Sequence, residues 1–171
     1  MCGRFTLTTP LEGLRDLFGF EERPNLAPRA NIAPTQDVLA VRADAEGARH
    51  AAMLRWGLVP GWAKDLSIGA RMINARAETV REKSAFRRPF AKRRCLIAAD
   101  GFYEWQAREA GPKQPYRVAR RDGGPFAFAG LWEKWRDPSD EGASVVETCT
   151  ILTTAASALL EPIHHRMPVM F

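Results

Sequence analysis

Short strand-like runs separated by glycine and aspartate turns constrain the fold of this chain more than any other feature of its sequence. Turn-forming residues cluster around Glu46-Gly47, at Gly123-Gly124 and over residues 137–142. No regular crossover helices separate the runs, which disfavours a sheet built from βαβ units. We therefore predict an α+β fold, a single domain with a largely antiparallel, barrel-like β-sheet core and flanking helices. The predicted strands cover residues 38–41, 51–56, 94–99, 102–106, 115–119, 126–132 and 145–153.

Two segments carry helical signals. Residues 9–12 (Thr-Pro-Leu-Glu) match a capping box with proline at the first helical position, and Gly19 is predicted to end this helix. Residues 77–92 are predicted to form one or two helices, the later one capped by Ser84. Pro89 predicts a break or bend, because proline lacks an N–H and clashes with the preceding turn.

The length and composition fit one soluble globular domain. The chain has 171 residues, enough for one domain over 1–171 with a full hydrophobic core, and it is 46% apolar and 26% charged. No apolar run reaches the roughly 18 residues of a membrane span, and no apolar stretch behind Arg4 has the form of a signal peptide. We therefore expect a cytoplasmic protein without a membrane segment.

The three cysteines do not form a recognisable disulfide or metal framework. Their odd number and the lack of a C-x-x-C pair argue against both, and suit a reducing cytoplasm. Cys95 and Cys149 lie in strand-like runs and are predicted core residues. The adjacent His164 and His165 could together bind a metal, but the third histidine, His50, stands apart in a polar turn. We therefore predict no metal site and no cofactor.

The charge suits a polyanionic partner without proving one. The net charge is +5, and seven basic residues lie between Arg81 and Arg94 with two phenylalanines among them. A solvated helical face explains this cluster as well as a nucleic-acid surface does. Trp56 and Trp62 bound a loop of glycine and proline, where a tryptophan could stack on a base, although tryptophans near a core are common.

Cys2 has the most distinctive chemistry in the chain. If Met1 is removed, Cys2 carries an α-amine and a thiol on adjacent carbons, a 1,2-aminothiol that no other position can offer. The amine can condense with an aldehyde to a Schiff base, and the thiol can then close a thiazolidine ring. An α-amine titrates near ~8, so part of it is neutral at physiological pH. A buried apolar role is the alternative, since cysteine is often a small core residue.

Two further segments could carry polar chemistry. Asn74 and Arg76 fall on one face if the chain is extended there, and they offer an amide and a fork of donors suited to phosphate. Asn74 could instead cap a helix. Glu104 stands among large aromatic residues, where a carboxylate can act as a general acid or base. Ordinary strand alternation, with Glu104 facing water, fits the pattern equally well.

Two residues near the C-terminal end complete the candidates. His164 precedes His165 and Arg166, and a histidine suits proton transfer at neutral pH. Thr153 ends a predicted strand before a short predicted helix at 155–160, so its hydroxyl could join an anion site at the helix N-terminus. Helix capping alone explains Thr153 equally well.

Six blocks of this sequence, kept in order and spanning nearly the whole chain, resemble the SOS-response-associated peptidase (SRAP) family. No single block is decisive, but six in order are very specific. The blocks are Met-Cys-Gly-Arg-Phe at 1–5, Asn-Ile-Ala-Pro-Thr at 31–35, Trp-Gly-Leu-Val-Pro-Gly-Trp at 56–62, Ile-Asn-Ala-Arg-Ala-Glu-Thr at 73–79, Asp-Gly-Phe-Tyr-Glu-Trp at 100–105 and Ile-His-His-Arg-Met-Pro at 163–168.

The resemblance implies a sensor of abasic sites in single-stranded DNA. In this family the N-terminal cysteine, exposed by removal of the initiator methionine, captures the aldehyde of the opened deoxyribose as a thiazolidine DNA–protein crosslink. The crosslink shields the lesion from strand cleavage during the DNA damage response, and the family can reverse it. The implied setting is a monomer associated with the nucleoid, with abasic single-stranded DNA as partner and replication-fork proteins as further candidates.

The resemblance also assigns roles at the reacting centre. Cys2 is implied as the nucleophile, and Asn74 as the residue that positions the sugar and the cysteine. Glu104 is implied as the acid–base group for removal of Met1 and for the Schiff-base steps. His164 is implied to help open the sugar ring and to move protons during ring closure or reversal.

The resemblance implies a set of DNA contacts and includes two departures from the family pattern. Many members have an acidic residue where His165 stands, and a neighbouring carboxylate would raise the pKa of His164. The family domain usually runs on past its Arg-Met-Pro motif, so we expect a C-terminal strand or helix to be absent beyond Phe171. The implied DNA contacts are Arg4, Arg76 and Arg166 at phosphates, Thr153 through its hydroxyl, and Trp62 with Trp56 by stacking.

Two other classes of function, an enzyme with a different reaction and a non-catalytic binding module, remain open from the sequence. Amidotransferases with an N-terminal nucleophile also begin Met-Cys-Gly, and in them the thiol attacks an amide carbonyl while the α-amine acts as base. That function leaves the Glu104 and His164 segments unexplained. A thiol peptidase that processes other peptides, as the family name suggests, is the second enzyme candidate. The other candidate is a non-catalytic module that binds single-stranded or modified DNA through its basic segments and tryptophans, reversibly with salt.

Overall fold

Eleven strands and three short helices make up the computed structural model of this chain, which describes residues 2–171. None of the helices in that range is long and apolar enough to cross a membrane. The helices are α1 (Leu11–Phe18), α2 (Ser84–Lys92) and a 3₁₀ helix (Leu66–Arg71). The strands are β1 (Arg4–Leu7), β2 (Arg29–Ile32), β3 (Asp37–Ala43), β4 (Arg49–Trp56), β5 (Asn74–Arg76), β6 (Arg94–Ala99), β7 (Gly101–Gln106), β8 (Gln114–Val118), β9 (Phe126–Trp135), β10 (Val146–Ala155) and β11 (Arg166–Pro168).

Five strands close into a barrel, in the order β10–β4–β3–β6–β9 and back to β10. Four of these five pairings are antiparallel, while β4 and β10 are parallel, so the barrel is mixed. β5 adds to β10 in parallel and β11 adds to it antiparallel. The predicted α+β fold with a largely antiparallel, barrel-like core is confirmed.

The β9 strand shows why the barrel is well packed. It is buried along most of its length, because one face lines the barrel while residues of the other face pack against Phe86 and Phe90 of α2. Gly130 in β9 allows a close approach to β6, since a Cβ there would lie 2.8 Å from the Ile97 side chain. Cys95 and Cys149 are both buried in this core, as predicted.

A second sheet, ordered β2–β1–β7–β8 and antiparallel throughout, packs against the barrel. The Phe5 ring of β1 meets the rings of Trp56 and Phe128 edge to face, at centroid distances of 5.1 and 5.5 Å. Such aromatic pairs each contribute about 0.5–1.5 kcal/mol beyond their buried area. Because β1 lies between β2 and β7, the first residues of the chain form an inner strand.

A buried carboxylate joins the turn between β6 and β7 to the end of β1. Asp100 accepts hydrogen bonds from the Thr6 hydroxyl, from the N–H and hydroxyl of Thr8, and from the N–H of Thr9. Burial opposes the charge of Asp100, but these hydrogen bonds outweigh it and lower the pKa of the carboxyl. The cluster therefore fixes the position of β1 within the sheet.

The start of α1 differs from the predicted capping box. The helix begins at Leu11, and Pro10 occupies the cap position without a side-chain hydrogen bond. The Thr9 hydroxyl instead contacts Asp100 at 3.3 Å, because the buried carboxylate recruits the donors around it. The predicted end is confirmed, since Gly19 has a φ of +67° and closes the last turn.

Three other helix predictions differ from the structure. Residues 77–83 form turns, and α2 begins at Ser84, which is therefore not its cap. Pro89 lies buried within α2 and does not break the helix, which continues to Lys92. No helix forms at 155–160, where β10 continues to Ala155 to pair with β11 and turns follow.

We expect Asp100→Asn to lower the free energy of unfolding by about 1–3 kcal/mol, because an amide cannot accept all of the hydrogen bonds of the carboxylate. The folded-state pKa of Asp100 is lowered, so its charge stabilises the fold above the unfolded pKa. That contribution is lost as the pH falls through the folded pKa. Urea unfolding near pH 7 and in acid measures both effects.

The control for this prediction is Asp16→Asn, at an exposed position of α1. It should leave the free energy of unfolding close to the wild-type value at both pH values. Equal stability of the Asp100 and Asp16 variants near pH 7 would contradict the structural role of Asp100.

Candidate active site

Cys2 lies just before β1, and its side chain is fully buried. Its thiol contacts the Arg4 carbonyl at 3.9 Å, and its own carbonyl accepts a hydrogen bond of 2.9 Å from Asn74. Burial, followed by the nearby charge of Glu104, raises the pKa of the Cys2 thiol well above its ordinary value. The thiol is therefore protonated at neutral pH and needs a base before it can add to an electrophile. The predicted removal of Met1 lies outside the described residues.

β5 brings Asn74 to Cys2. The strand pairs with β10, so Asn74 is extended and does not cap a helix, and Arg76 follows at an exposed position two residues on. The Asn74 Nδ2 group donates to the Cys2 carbonyl, while Oδ1 is buried without a hydrogen-bond partner in residues 2–171. An acceptor of this kind is suited to a hydroxyl or amine of a substrate.

Glu104 lies on β7, the neighbour of β1, and its side chain is buried in the protein. Phe102 and Glu104 are both buried, as alternate residues of one strand face should be. The interpretation of Glu104 as a water-facing residue is therefore wrong. Its charge acts both on the Cys2 thiol and on the ring of His164, so one carboxylate links the two.

His164 lies just before β11 and is half-buried. Its Nδ1 atom lies 3.0 Å from the backbone nitrogen of Arg166 and 3.2 Å from the carbonyl oxygen of the same residue. Nδ1 can accept from the N–H in the neutral ring and donate to the carbonyl in the charged ring. Burial lowers the pKa of His164, although the charge of Glu104 opposes this in part. The ring is therefore neutral near pH 7 and can accept a proton.

Arg166 is held by an acidic partner. Its guanidinium forms two hydrogen bonds with Glu78, of 2.7 and 2.9 Å, and donates to the Thr153 carbonyl at 2.7 Å. The Thr153 side chain is buried, and its hydroxyl lies 3.3 Å from the same guanidinium. Hydrogen bonding to Arg166 lowers the pKa of Glu78 to about 2. A phosphate that approached Arg166 would therefore have to displace or share Glu78.

Glu78 and Asn31 are site residues that the sequence interpretation missed. Glu78 holds Arg166 from 88 positions away, and Asn31 accepts a hydrogen bond of 3.0 Å from Arg4. Both lie within the six blocks that resemble the family, and this membership is the feature of the sequence that could have identified them. Nothing in the local pattern of either segment, however, identifies the arginine that it contacts.

The remaining predicted DNA-binding residues differ in their exposure. Trp62 has 62% of its surface exposed, and Arg76 is exposed on β5. Arg4 is half-buried and bound to Asn31. Trp56 is fully buried and donates its indole N–H to a backbone carbonyl at 2.9 Å. Trp56 therefore belongs to the core, and its predicted stacking role is wrong.

Two glycines fix the base of the loop that carries Trp62. Gly57 has a φ of +129°, and a Cβ on it would lie 2.5 Å from the carbonyl oxygen of Gly69. A Cβ on Gly69 would lie equally close to the carbonyl oxygen of Gly57. Only glycine permits this approach, so the loop leaves β4 in a fixed direction.

The basic segment between Arg81 and Arg94 divides into two faces on α2. Phe86 and Phe90 pack into the second apolar core, whereas Arg87 and Arg88 are exposed. This is the arrangement expected of a solvated helical face. Within residues 2–171, no group of three or more histidine, cysteine, aspartate or glutamate side chains is arranged to hold a metal ion.

Comparison with known proteins identifies similar sequences over the whole chain. Residues 1–171 match the family described as SOS response associated peptidase (SRAP). Abasic site processing protein YoaM of Bacillus subtilis is 46% identical over 173 residues, which cover 99% of this chain and 74% of YoaM. Abasic site processing protein HMCES of Pongo abelii is 30% identical over 217 residues, which cover 99% of this chain and 61% of HMCES.

Solved structures show the same fold. A crystal structure of a protein from Bacteroides thetaiotaomicron matches with a TM-score of 0.88 at 25% identity, covering 99% of this chain and 77% of that one. A crystal structure of a protein from Bordetella bronchiseptica matches with a TM-score of 0.83 at 29% identity, covering 99% of this chain and 83% of that one. The family resemblance is thus confirmed, and this chain belongs to the SOS response associated peptidase (SRAP) family.

Proposed function

We propose that this chain captures abasic sites in single-stranded DNA covalently, as a thiazolidine formed by the α-amine and thiol of Cys2 after removal of Met1. The observation that carries the proposal is the setting of Cys2, which is buried before an inner strand, hydrogen-bonded to Asn74 and within electrostatic reach of Glu104. Relatives named abasic site processing proteins support the same substrate class.

The proposed reaction has two bond-forming steps. The neutral α-amine of Cys2 adds to the aldehyde carbon of the opened deoxyribose, and loss of water from the adduct gives an imine. The thiol then adds to the imine carbon, which forms a C–S bond and closes the thiazolidine ring. The thiol proton ends on the nitrogen of the thiazolidine. Water is the leaving molecule, and the sequence of steps needs no oxidant or reductant.

Glu104 and His164 supply the proton transfers in this proposal. The Glu104 carboxylate takes a proton from the nitrogen of the amine adduct and delivers it to the departing hydroxyl during imine formation, and Glu104 also assists hydrolysis of the bond between Met1 and Cys2. His164, which is neutral near pH 7, helps open the sugar ring and accepts the thiol proton. Such a base is needed because the pKa of the Cys2 thiol is raised by burial.

The DNA would be held next to these groups. Asn74 offers its buried Oδ1 atom to the sugar, and the exposed Arg76 lies two residues away for a flanking phosphate. Trp62 is exposed on its loop and would stack on a base beside the lesion. Arg4, Arg166 and Thr153 would also contact the DNA, after the hydrogen bonds that they form within the protein are broken. This activity would place a monomeric protein at the nucleoid, with replication-fork proteins as further partners.

The raised pKa of Cys2 also weighs against the enzyme alternatives. A thiol peptidase or an amidohydrolase attacks a carbonyl with the thiolate, and such enzymes lower the pKa of that cysteine. In the proposed reaction the amine attacks first, so the neutral thiol is no obstacle to the first step. A non-catalytic DNA-binding module predicts complexes that dissociate fully in high salt.

The purified chain should form a crosslink with single-stranded DNA bearing one abasic site, and the crosslink should resist heat, detergent and high salt. Cys2→Ala keeps an α-amine but loses the thiol, so only an imine that needs borohydride trapping should remain. Cys95→Ala is the matched control, since it removes a buried thiol from β6. Denaturing gels and intact mass report both the adduct and the loss of Met1. A stable adduct with Cys2→Ala, or on protein that retains Met1, would sink the proposal.

Glu104→Gln should slow crosslinking by about 100- to 10,000-fold, because the amide keeps the shape of the side chain but cannot transfer a proton. Non-covalent affinity for abasic DNA should stay near the wild-type value. Glu161→Gln makes the same charge change at an exposed position three residues before His164 and serves as control. Single-turnover rates and fluorescence anisotropy separate chemistry from binding. Equal rates for the two variants would refute the role of Glu104.

Arg76→Ala should weaken non-covalent binding and reduce the slope of log affinity against log salt by about 0.7, the value for one phosphate contact with a single strand. Anisotropy titrations at several salt concentrations measure the slope, and a Cys2→Ala background keeps the binding reversible. Arg121→Ala removes the same charge from an exposed position between β8 and β9. If both substitutions change the slope equally, Arg76 makes no specific phosphate contact.

A further inference from the structure

The ring of His165 stacks on the ring of His164. Their centroids are 4.5 Å apart, and their planes differ by 21°. His164 is half-buried, whereas His165 is exposed. The outer ring therefore covers one face of the inner ring, which is the proposed proton carrier.

Hydrogen bonds fix the backbone of both histidines. The His164 N–H donates to the Leu160 carbonyl at 2.9 Å, and the His165 carbonyl accepts from the Ala156 N–H at 3.0 Å. The Nδ1 atom of His164 also contacts the backbone of Arg166 at 3.0 Å. The inner ring is thus held at its Nδ1 edge by Arg166 and across one face by His165.

Charged groups act on His164 from several elements of the fold. Glu104 on β7 favours the charged ring, whereas the positive amino terminus and His165 oppose it. Arg166 of β11 contacts the ring through its backbone, and its guanidinium is paired with Glu78. Among these groups, His165 is an exposed side chain, and its ring stacks directly on that of His164.

We infer that His165 is a positioning residue for His164: its stacked ring fixes the orientation in which His164 accepts a proton, and protonation of either ring opposes that of the other. The inference rests on the proposed role of His164 in crosslinking. Two like charges at this separation repel, so a positive charge on either ring disfavours a proton on the other. The fall in the crosslinking rate at low pH would therefore depend on both histidines rather than on His164 alone.

Three variants at this exposed position separate stacking from charge. His165→Phe keeps a flat ring without a charge, His165→Ala removes both, and His165→Glu reverses the charge. NMR titration of the ring Cε1 protons follows each histidine, with His50 as internal reference among the three in the chain. His164 should titrate about half to one pH unit higher in His165→Phe than in wild type, and higher again in His165→Glu.

The rate of crosslinking to abasic single-stranded DNA gives the second readout. Near pH 8, His164 is neutral in wild type, His165→Phe and His165→Ala, so differences in rate there report orientation rather than charge. His165→Phe should react at the wild-type rate, and His165→Ala about tenfold more slowly, because a misoriented proton acceptor costs rate.

Each part of the inference has an outcome that overturns it. Identical titration midpoints for His164 in wild type and His165→Phe would overturn the coupling, and equal rates for His165→Phe and His165→Ala near pH 8 would overturn the positioning role. If wild-type protein forms no crosslink at any pH, the proposed function falls and the role of His165 in it falls too. The NMR titration still decides the coupling in that case, so the two failures are distinguishable.

Discussion

The pairing of β1 with β7 is the interaction on which the candidate site depends. Chain ends usually fray, yet here the first strand has neighbours on both edges, and Phe5 packs against Trp56 and Phe128. Asp100 secures the other end of the same strand through its hydrogen bonds to the threonines that follow. Because the strand is fixed, Cys2 has a defined position although it lies almost at the end of the chain.

Burial keeps the Cys2 thiol neutral and therefore lowers its reactivity as a nucleophile. A buried neutral thiol resists oxidation and stray alkylation, since the thiolate is the reactive form. The low dielectric that keeps the thiol neutral also strengthens the influence of Glu104 on both Cys2 and His164. A reaction that starts at the amine and finishes at the sulfur therefore suits this environment better than one that needs a thiolate first.

Much of the fold could be predicted because its signals are local, whereas the site depends on contacts that no local pattern specifies. Strand runs and turns fixed the antiparallel barrel, but the parallel pairing of β4 with β10 joins segments about a hundred residues apart. The contact of Thr9 with Asp100, found in place of the predicted capping box, also joins distant segments, and so does the contact of Glu78 with Arg166. Aromatic neighbours marked Glu104 as a candidate, yet strand alternation alone is symmetric and cannot say which face is inside. The sequence also could not show that Trp56 is buried at the end of β4 whereas Trp62 is exposed on the loop that follows.

The position of β10 in the barrel has a consequence for synthesis. This strand pairs with β4, β5, β9 and β11, so a nascent chain cannot close the barrel until Val146–Ala155 has left the ribosome. Cys2 is synthesised first, but Glu104 and His164 join it only when later segments fold. A nascent polypeptide therefore exposes Cys2 while the segments that surround it in the folded protein are still to be synthesised.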